Sequence, residues 1–186
     1  GRKLLVTGSG RCNISNQNVS AEKYDCADRA WLEQVFTSFG VDETLAMFKK
    51  LGILVYHTDD GWYYPLSNSA QSVVAILAGA LAAANVEQLL SCRVETIFRR
   101  DRHLVVKYHH SGSNEERQFD RMIIATGGKA YPTLGSTGDL FPVLEHLGHT
   151  VTPKRPALAP VQVELGSFKA LLGVRLDAGV TLLDKR

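Results

Sequence analysis

Residues 4–13 read LLVTGSGRCN. A short apolar run breaks on Gly8 and Gly10, and this break constrains the fold more than any other stretch. An apolar run entering a glycine turn is how a strand delivers backbone to a nucleotide. The dinucleotide fingerprint, however, needs a third glycine, so that the following helix packs closely and points its N-terminus at the pyrophosphate. Asn13 stands in that place, and the Asn/Ser-rich residues 13–20 read as a loop. Two readings stay open on these residues alone. The turn sets backbone N–H groups against a ligand, since glycine allows close approach and positive φ, or it is an ordinary tight turn.

The rest of the chain reads as alternating helix and strand. Apolar residues recur at helical spacing over 28–39, with Gly40 as a stop. A second helix spans 42–51, with Asp42 as N-cap and Gly52 just past its end. Residues 53–65 read as a hairpin turning at Asp60-Gly61. Ser67-Asn68-Ser69 opens a helix over 70–84, too short and Ala-rich for a membrane span. Strands are expected at 4–6, 86–90, 93–99, 104–109, 117–119, 122–125 and 161–163. The polar connectors make 93–119 an antiparallel meander. A helix is expected over 138–147, capped by Ser136 or Thr137. Together these predict an α/β layered domain of Rossmann-like type with an antiparallel β-meander.

Composition narrows the function classes. The net charge is +2, and Arg99, Arg100 and Arg102 are too few for a nucleic-acid footprint. No signal-peptide pattern is read at the start of this sequence, and with so small a charge and no spanning apolar run, neither nucleic acid nor membrane is an expected partner. Cys12, Cys26 and Cys92 lack paired spacing, which argues against zinc or a disulfide framework and suits a reducing cytoplasm. Cys12 is either a redox group beside the turn or a small residue packed beneath it. Of the six histidines, His109 and His110 are adjacent on a strand and face opposite ways, and His146 and His149 have no acidic partner at metal-site spacing, so no metal is assigned. Gly128-Lys129 fails as a P-loop, because Ile123 and Ala130 stand where glycine and Ser/Thr are needed. No nucleophile motif is present, and no catalytic side chain is assigned.

Three segments in order carry a resemblance: GRKLLVTGSGRCNISN, then GWYYPLSNSAQSVV, then MIIATGGKAYPTLGSTGDLF with LGHTVTPKRPALAPV behind it. Together they resemble the bacterial family of NAD(P)/FAD-dependent oxidoreductase flavoproteins that includes the bile-acid reductase BaiN. The resemblance places the true glycine fingerprint upstream of GRKLL and makes the turn a second contact with FAD. It implies cofactor contacts from Gly1, Arg2 and Lys3, and from Thr7, Gly8, Ser9, Gly10, Arg11, Cys12 and Asn13. It further implies contacts from Val94 on the adenine side and from Thr126 and Gly127 at the dinucleotide. The family usually has glycine where Ser9 stands, and Gly-Tyr where Leu140 and Phe141 stand.

The implied activity is electron transfer from NAD(P)H or another donor, through FAD, to an unknown organic acceptor. A nucleotide-binding module or an interaction protein without turnover is the alternative. On this resemblance the chain is a middle fragment, inactive alone. Residues 1–155 form a partial FAD-binding domain, and 156–186 begin an inserted substrate domain. An exposed sheet edge would then invite self-association.

Overall fold

A computed structural model describes residues 1–155 together with Gly166, Ala170, Gly179 and Thr181. Contacts divide the chain into Gly1–Val151 and Thr152–Arg186. The strand expected at 161–163, and nearly all of the inserted domain expected over 156–186, lie outside the described residues.

Gly1–Val151 holds two antiparallel sheets of three strands each. In the first, β1 (Ser15–Asn16), β2 (Val55–His57) and β3 (Trp62–Pro65) are ordered β1-β3-β2. The hairpin turns at Gly61, whose φ of 85° is the left-handed conformation that glycine adopts freely. Three helices accompany this sheet. Helix α1 (Arg29–Ser38) is capped by Asp28, whose carboxylate accepts from the Trp31 N–H at 2.9 Å. Helix α2 (Val41–Lys50) starts one residue before the expected Asp42 cap. Glu43 reaches back to accept the Gly40 N–H at 2.8 Å, which makes Gly40 the cap. The helix ends before Gly52, at φ 88°.

Helix α3 (Ala70–Ala83) supplies Ala70 and Val73 to a core cluster with Cys12 and Ile53. Leu4, Ile14 and Phe48 pack around that cluster. Cys12 therefore sits beneath the turn as a packed core residue, only 3% exposed.

The second sheet is the expected meander: β4 (Arg93–Arg100), β5 (His103–His110) and β6 (Ser113–Phe119), in that order, with β6 starting four residues before the expected 117 because the polar residues 113–116 pair with β5. A bulge interrupts β4 between Val94 and Thr96. One face of the sheet contributes Ile97, Val106 and Tyr108 to a second cluster, completed by Leu140 and Val143. Val143 lies on α4 (Phe141–His146). That helix is shorter than expected, because Gly138 holds φ 75° just ahead of it. Neither Ser136 nor Thr137 caps it.

Three expected strands do not form. Residues 4–6 lie in a pair of 3-10 turns, 86–90 run irregularly after α3, and 122–125 belong to neither helix nor strand. An apolar run becomes a strand only by pairing, and none of these has a strand neighbour among the described residues. No parallel pairing occurs among those residues either.

Candidate functional site

The glycine turn is a kinked pair of 3-10 turns over Leu4–Gly10. Thr7 is extended at ψ 147°, and Gly8, Ser9 and Gly10 then take φ of 55°, 59° and 84°. Cys12 is also left-handed, at φ 65°. A side chain does not fit at Gly8. A Cβ there would lie 2.7 Å from the Asn13 amide nitrogen and 2.9 Å from Tyr64 Cε1. The turn is closed by the Cys12 N–H, which donates to the Thr7 carbonyl at 3.0 Å, and by the Arg11 N–H, which donates to the Gly8 carbonyl at 3.2 Å. The Arg11 guanidinium lies on the buried Tyr64 ring, 4.1 Å from its centroid. Two of the three sequence segments thus meet at Arg11 and Tyr64.

The first and third segments meet at Lys3. Its ammonium donates to the Ser136 hydroxyl at 3.0 Å. Ser136 is 5% exposed, the buried polar side chain of the described residues. Arg2 lies against Gly135, where a Cβ would come within 3.0 Å of the guanidinium Nη2. Gly127 also adjoins Ser136: a Cβ there would lie 3.7 Å from the Ser136 hydroxyl. Gly127 and Gly135 take φ of 73° and 94°. Arg2, Lys3, Thr126 and Gly127 are exposed, and neither Arg2 nor Lys3 pairs with a carboxylate among the described residues. Gly1 packs instead on Val74 of α3, at 3.1 Å from a would-be Cβ.

Val94 and Thr126 face one groove of about 380 Å³, whose walls include Ile97, Tyr108 and Arg117. Here the Tyr108 hydroxyl donates to Glu115 at 2.8 Å. Burial pushes the Tyr108 hydroxyl above its ordinary range, and this hydrogen bond holds the Glu115 carboxyl below its own. Arg117 donates twice to Glu87, at 3.0 and 2.9 Å, which holds its proton more firmly.

The residues named from sequence therefore fall into three sets. Thr7 to Asn13 form the turn against Tyr64, Arg2 and Lys3 adjoin the 127–136 loop while Gly1 packs on α3, and Val94 and Thr126 line one groove. Sequence reasoning missed Ser136 as the acceptor for Lys3, having considered it only as a helix cap. It also missed Gly135 and Tyr64. The signal was the GSTGD run, whose Gly135 leaves room for Arg2.

A dinucleotide cofactor needs cations for its phosphates and backbone it can approach closely. Lys3 on Ser136, which adjoins Gly127, and Arg2 against Gly135, with no carboxylate partner among the described residues, fit that need. The described residues hold no group of three or more His, Cys, Asp or Glu able to bind a metal. None of their helices is long and apolar enough to cross a membrane.

The HI0933-like protein Rossmann domain matches residues 1–179. The chain is 35% identical over 183 residues to the 3-dehydro-bile acid delta(4,6)-reductase of Clostridium scindens, covering 98% of this chain and 44% of that protein. It is 25% identical to the ribosomal RNA dihydrouridine synthase of Haemophilus influenzae, covering 98% and 46% respectively. The Escherichia coli ribosomal RNA dihydrouridine synthase is 26% identical, over 97% of this chain and 45% of that protein. The chain spans less than half the length of each of these relatives.

Proposed function

The chain belongs to the HI0933-like Rossmann-domain family, and from that premise we propose that it serves an FAD-dependent oxidoreductase which reduces an unsaturated organic acceptor. The observation that carries this is the Lys3–Ser136 contact, which sets the ammonium on a hydroxyl that adjoins Gly127, with Arg2 against the neighbouring Gly135. Arg2 and Lys3 would neutralise the phosphates of the dinucleotide. The backbone of Thr126 and Gly127 would border it, and Val94 would hold the adenine side. The turn from Thr7 to Asn13 would face the flavin side, with the Arg11 guanidinium resting on Tyr64. Bound there, the flavin supplies two-electron redox chemistry. NAD(P)H is the electron donor in this reading.

The acceptor class comes from the relatives. One is named a reductase and two are named dihydrouridine synthases, and each name describes adding hydrogen to an unsaturated ring. Residues 1–155 would form the FAD-binding part and 156–186 the start of a substrate domain. The protein would work in a reducing cytoplasm, where Cys12, Cys26 and Cys92 stay free thiols. Self-association would use the apolar segment at Ile123, which is 93% exposed.

The test is the visible spectrum of the purified protein, with the released cofactor identified by chromatography. Flavin absorbance and released FAD are expected. A colourless protein that takes up no added FAD sinks the proposal.

A further inference from the structure

The loop that carries Ser136 is tied to two different parts of the fold. Ser136 accepts the Lys3 ammonium at 3.0 Å. Further along, the Asp139 carboxylate accepts the Arg93 guanidinium at 2.5 Å. Arg93 opens β4, opposite His109 on β5. Val94 beside it lines the same groove as Thr126 and Leu140. Leu140, next to Asp139, is buried in the cluster of the second sheet. Residues 136–140 therefore bridge that sheet and the segment that carries Arg2 and Lys3.

The bridge has little structure of its own. Residues 136–138 belong to neither helix nor strand. The N–H groups of Thr137, Gly138, Asp139 and Leu140 find no backbone acceptor among the described residues. Gly138 lies in the left-handed region at φ 75°, where glycine moves more freely than any other residue. Burial of Leu140 fixes one point of the chain, but the path from there back to Ser136 can still rotate about Gly138. A side-chain bond at Asp139 adds a second fixed point and so restricts that path. The bond is charge-assisted, and so stronger than a neutral one. Its side chains are 72% and 41% exposed, which makes it a weak contributor to global stability.

Plain electrostatics makes the opposite demand of Asp139. A carboxylate near a site for phosphates repels them, and by engaging Arg93 it withdraws a cation from them. The two roles therefore differ in sign. Neutralising a merely repelling charge strengthens anion binding, whereas releasing a positioning contact weakens it.

We propose that Arg93 and Asp139 are positioning residues for the cofactor site: their ion pair holds the loop so that Ser136 stays within reach of Lys3 and Gly127. The proposal rests on the flavin reading for the identity of the ligand, and on the contacts at Arg93, Ser136 and Asp139 for the positioning itself.

The experiment has two arms, both on the full chain. The first is amide hydrogen exchange read by NMR at Gly135 and Ser136, which donate to the Pro132 and Tyr131 carbonyls at 3.0 and 3.2 Å. Both amides should exchange faster in Asp139→Asn and in Arg93→Ala, with the melting temperature unchanged. Arg93→Asp combined with Asp139→Arg keeps the net charge and should restore the wild-type rates. The second arm is an FAD titration read by flavin fluorescence. Binding should weaken about threefold to fivefold in Asp139→Asn and recover in the paired reversal. Tighter FAD binding in Asp139→Asn overturns the proposal, since the carboxylate would then act only by repulsion. Unchanged exchange at Gly135 and Ser136 overturns it as well, as does exchange that quickens equally throughout the chain, or a paired reversal that behaves like the single variants. Exchange needs no FAD. A protein that takes up no flavin defeats the flavin reading, and the exchange arm still decides the positioning.

Discussion

The guanidinium carbon of Arg11 rests 4.1 Å from the centre of the Tyr64 ring, and that ring also closes off the space beside Gly8. One aromatic side chain thus holds the turn from two directions. A cation on an aromatic face is worth from about 0.5 to 2 kcal/mol, depending on how far the pair is withdrawn from water. Arg11→Ala should therefore lower stability by about 1 kcal/mol in chemical denaturation. Tyr64→Phe keeps the ring and should cost much less. Equal losses in the two variants would mean that the stacking contributes nothing.

Gly8 and Ser9 share a left-handed backbone but should respond in opposite ways. Gly8→Ala meets both the Asn13 backbone and Tyr64, and should cost at least about 2 kcal/mol. Ser9 carries a side chain at φ 59°. Removing it relieves about 1–2 kcal/mol of local strain. The extra freedom of an unfolded glycine takes back about 0.5–1 kcal/mol. Ser9→Gly should therefore raise the melting temperature slightly. A clear fall would contradict the left-handed geometry at that position.

Helix α2 should lose support in acid. The backbone N–H groups of Glu43 and Gly40 hold the Glu43 carboxyl below its ordinary range. A carboxyl with a lowered value in the folded state contributes stability that is fully present above its unfolded value. That contribution is lost as pH falls through the lowered folded value. The difference in stability between the wild type and Glu43→Gln should therefore be constant above about pH 5 and shrink below about pH 4. A difference that stays constant through the acid range would show that the charge plays no part in the cap.

Lys3→Ala and Ser136→Ala separate charge from position at the cofactor contact. If the ammonium meets a phosphate, Lys3→Ala should weaken FAD retention and reduce its dependence on salt. Ser136→Ala removes only the anchor, and should weaken retention less while keeping the salt dependence. FAD fluorescence after dilution at several salt concentrations reads both. Unchanged retention in Lys3→Ala would move the phosphates elsewhere.

Much of the local architecture was legible in the sequence. Helices α1 and α3 followed from apolar spacing, and the meander from alternating runs between polar connectors. The Asp60-Gly61 turn was legible because glycine meets a steric need there. The α2 cap was misplaced by two residues, since Glu43 acts backwards on Gly40 and not through its own position in the row. Residues 122–125 carry every local mark of a strand, yet strand identity depends on a neighbour, which a local pattern does not contain. At the candidate site, the glycines announced themselves by composition. The partners of Lys3 and Arg11 did not, because they come from positions remote in sequence, and only the folded chain brings them together.

Lys3 and Ser136 are 133 positions apart, and both sheets lie between them in the chain. The entropy of closing so long a loop is recovered only after the intervening hairpins have formed, and those depend on contacts of much shorter range. Ligand competence is therefore a late event in the history of each molecule. During refolding, secondary structure should return before the capacity to hold an anion, and on gentle unfolding that capacity should be the first to go.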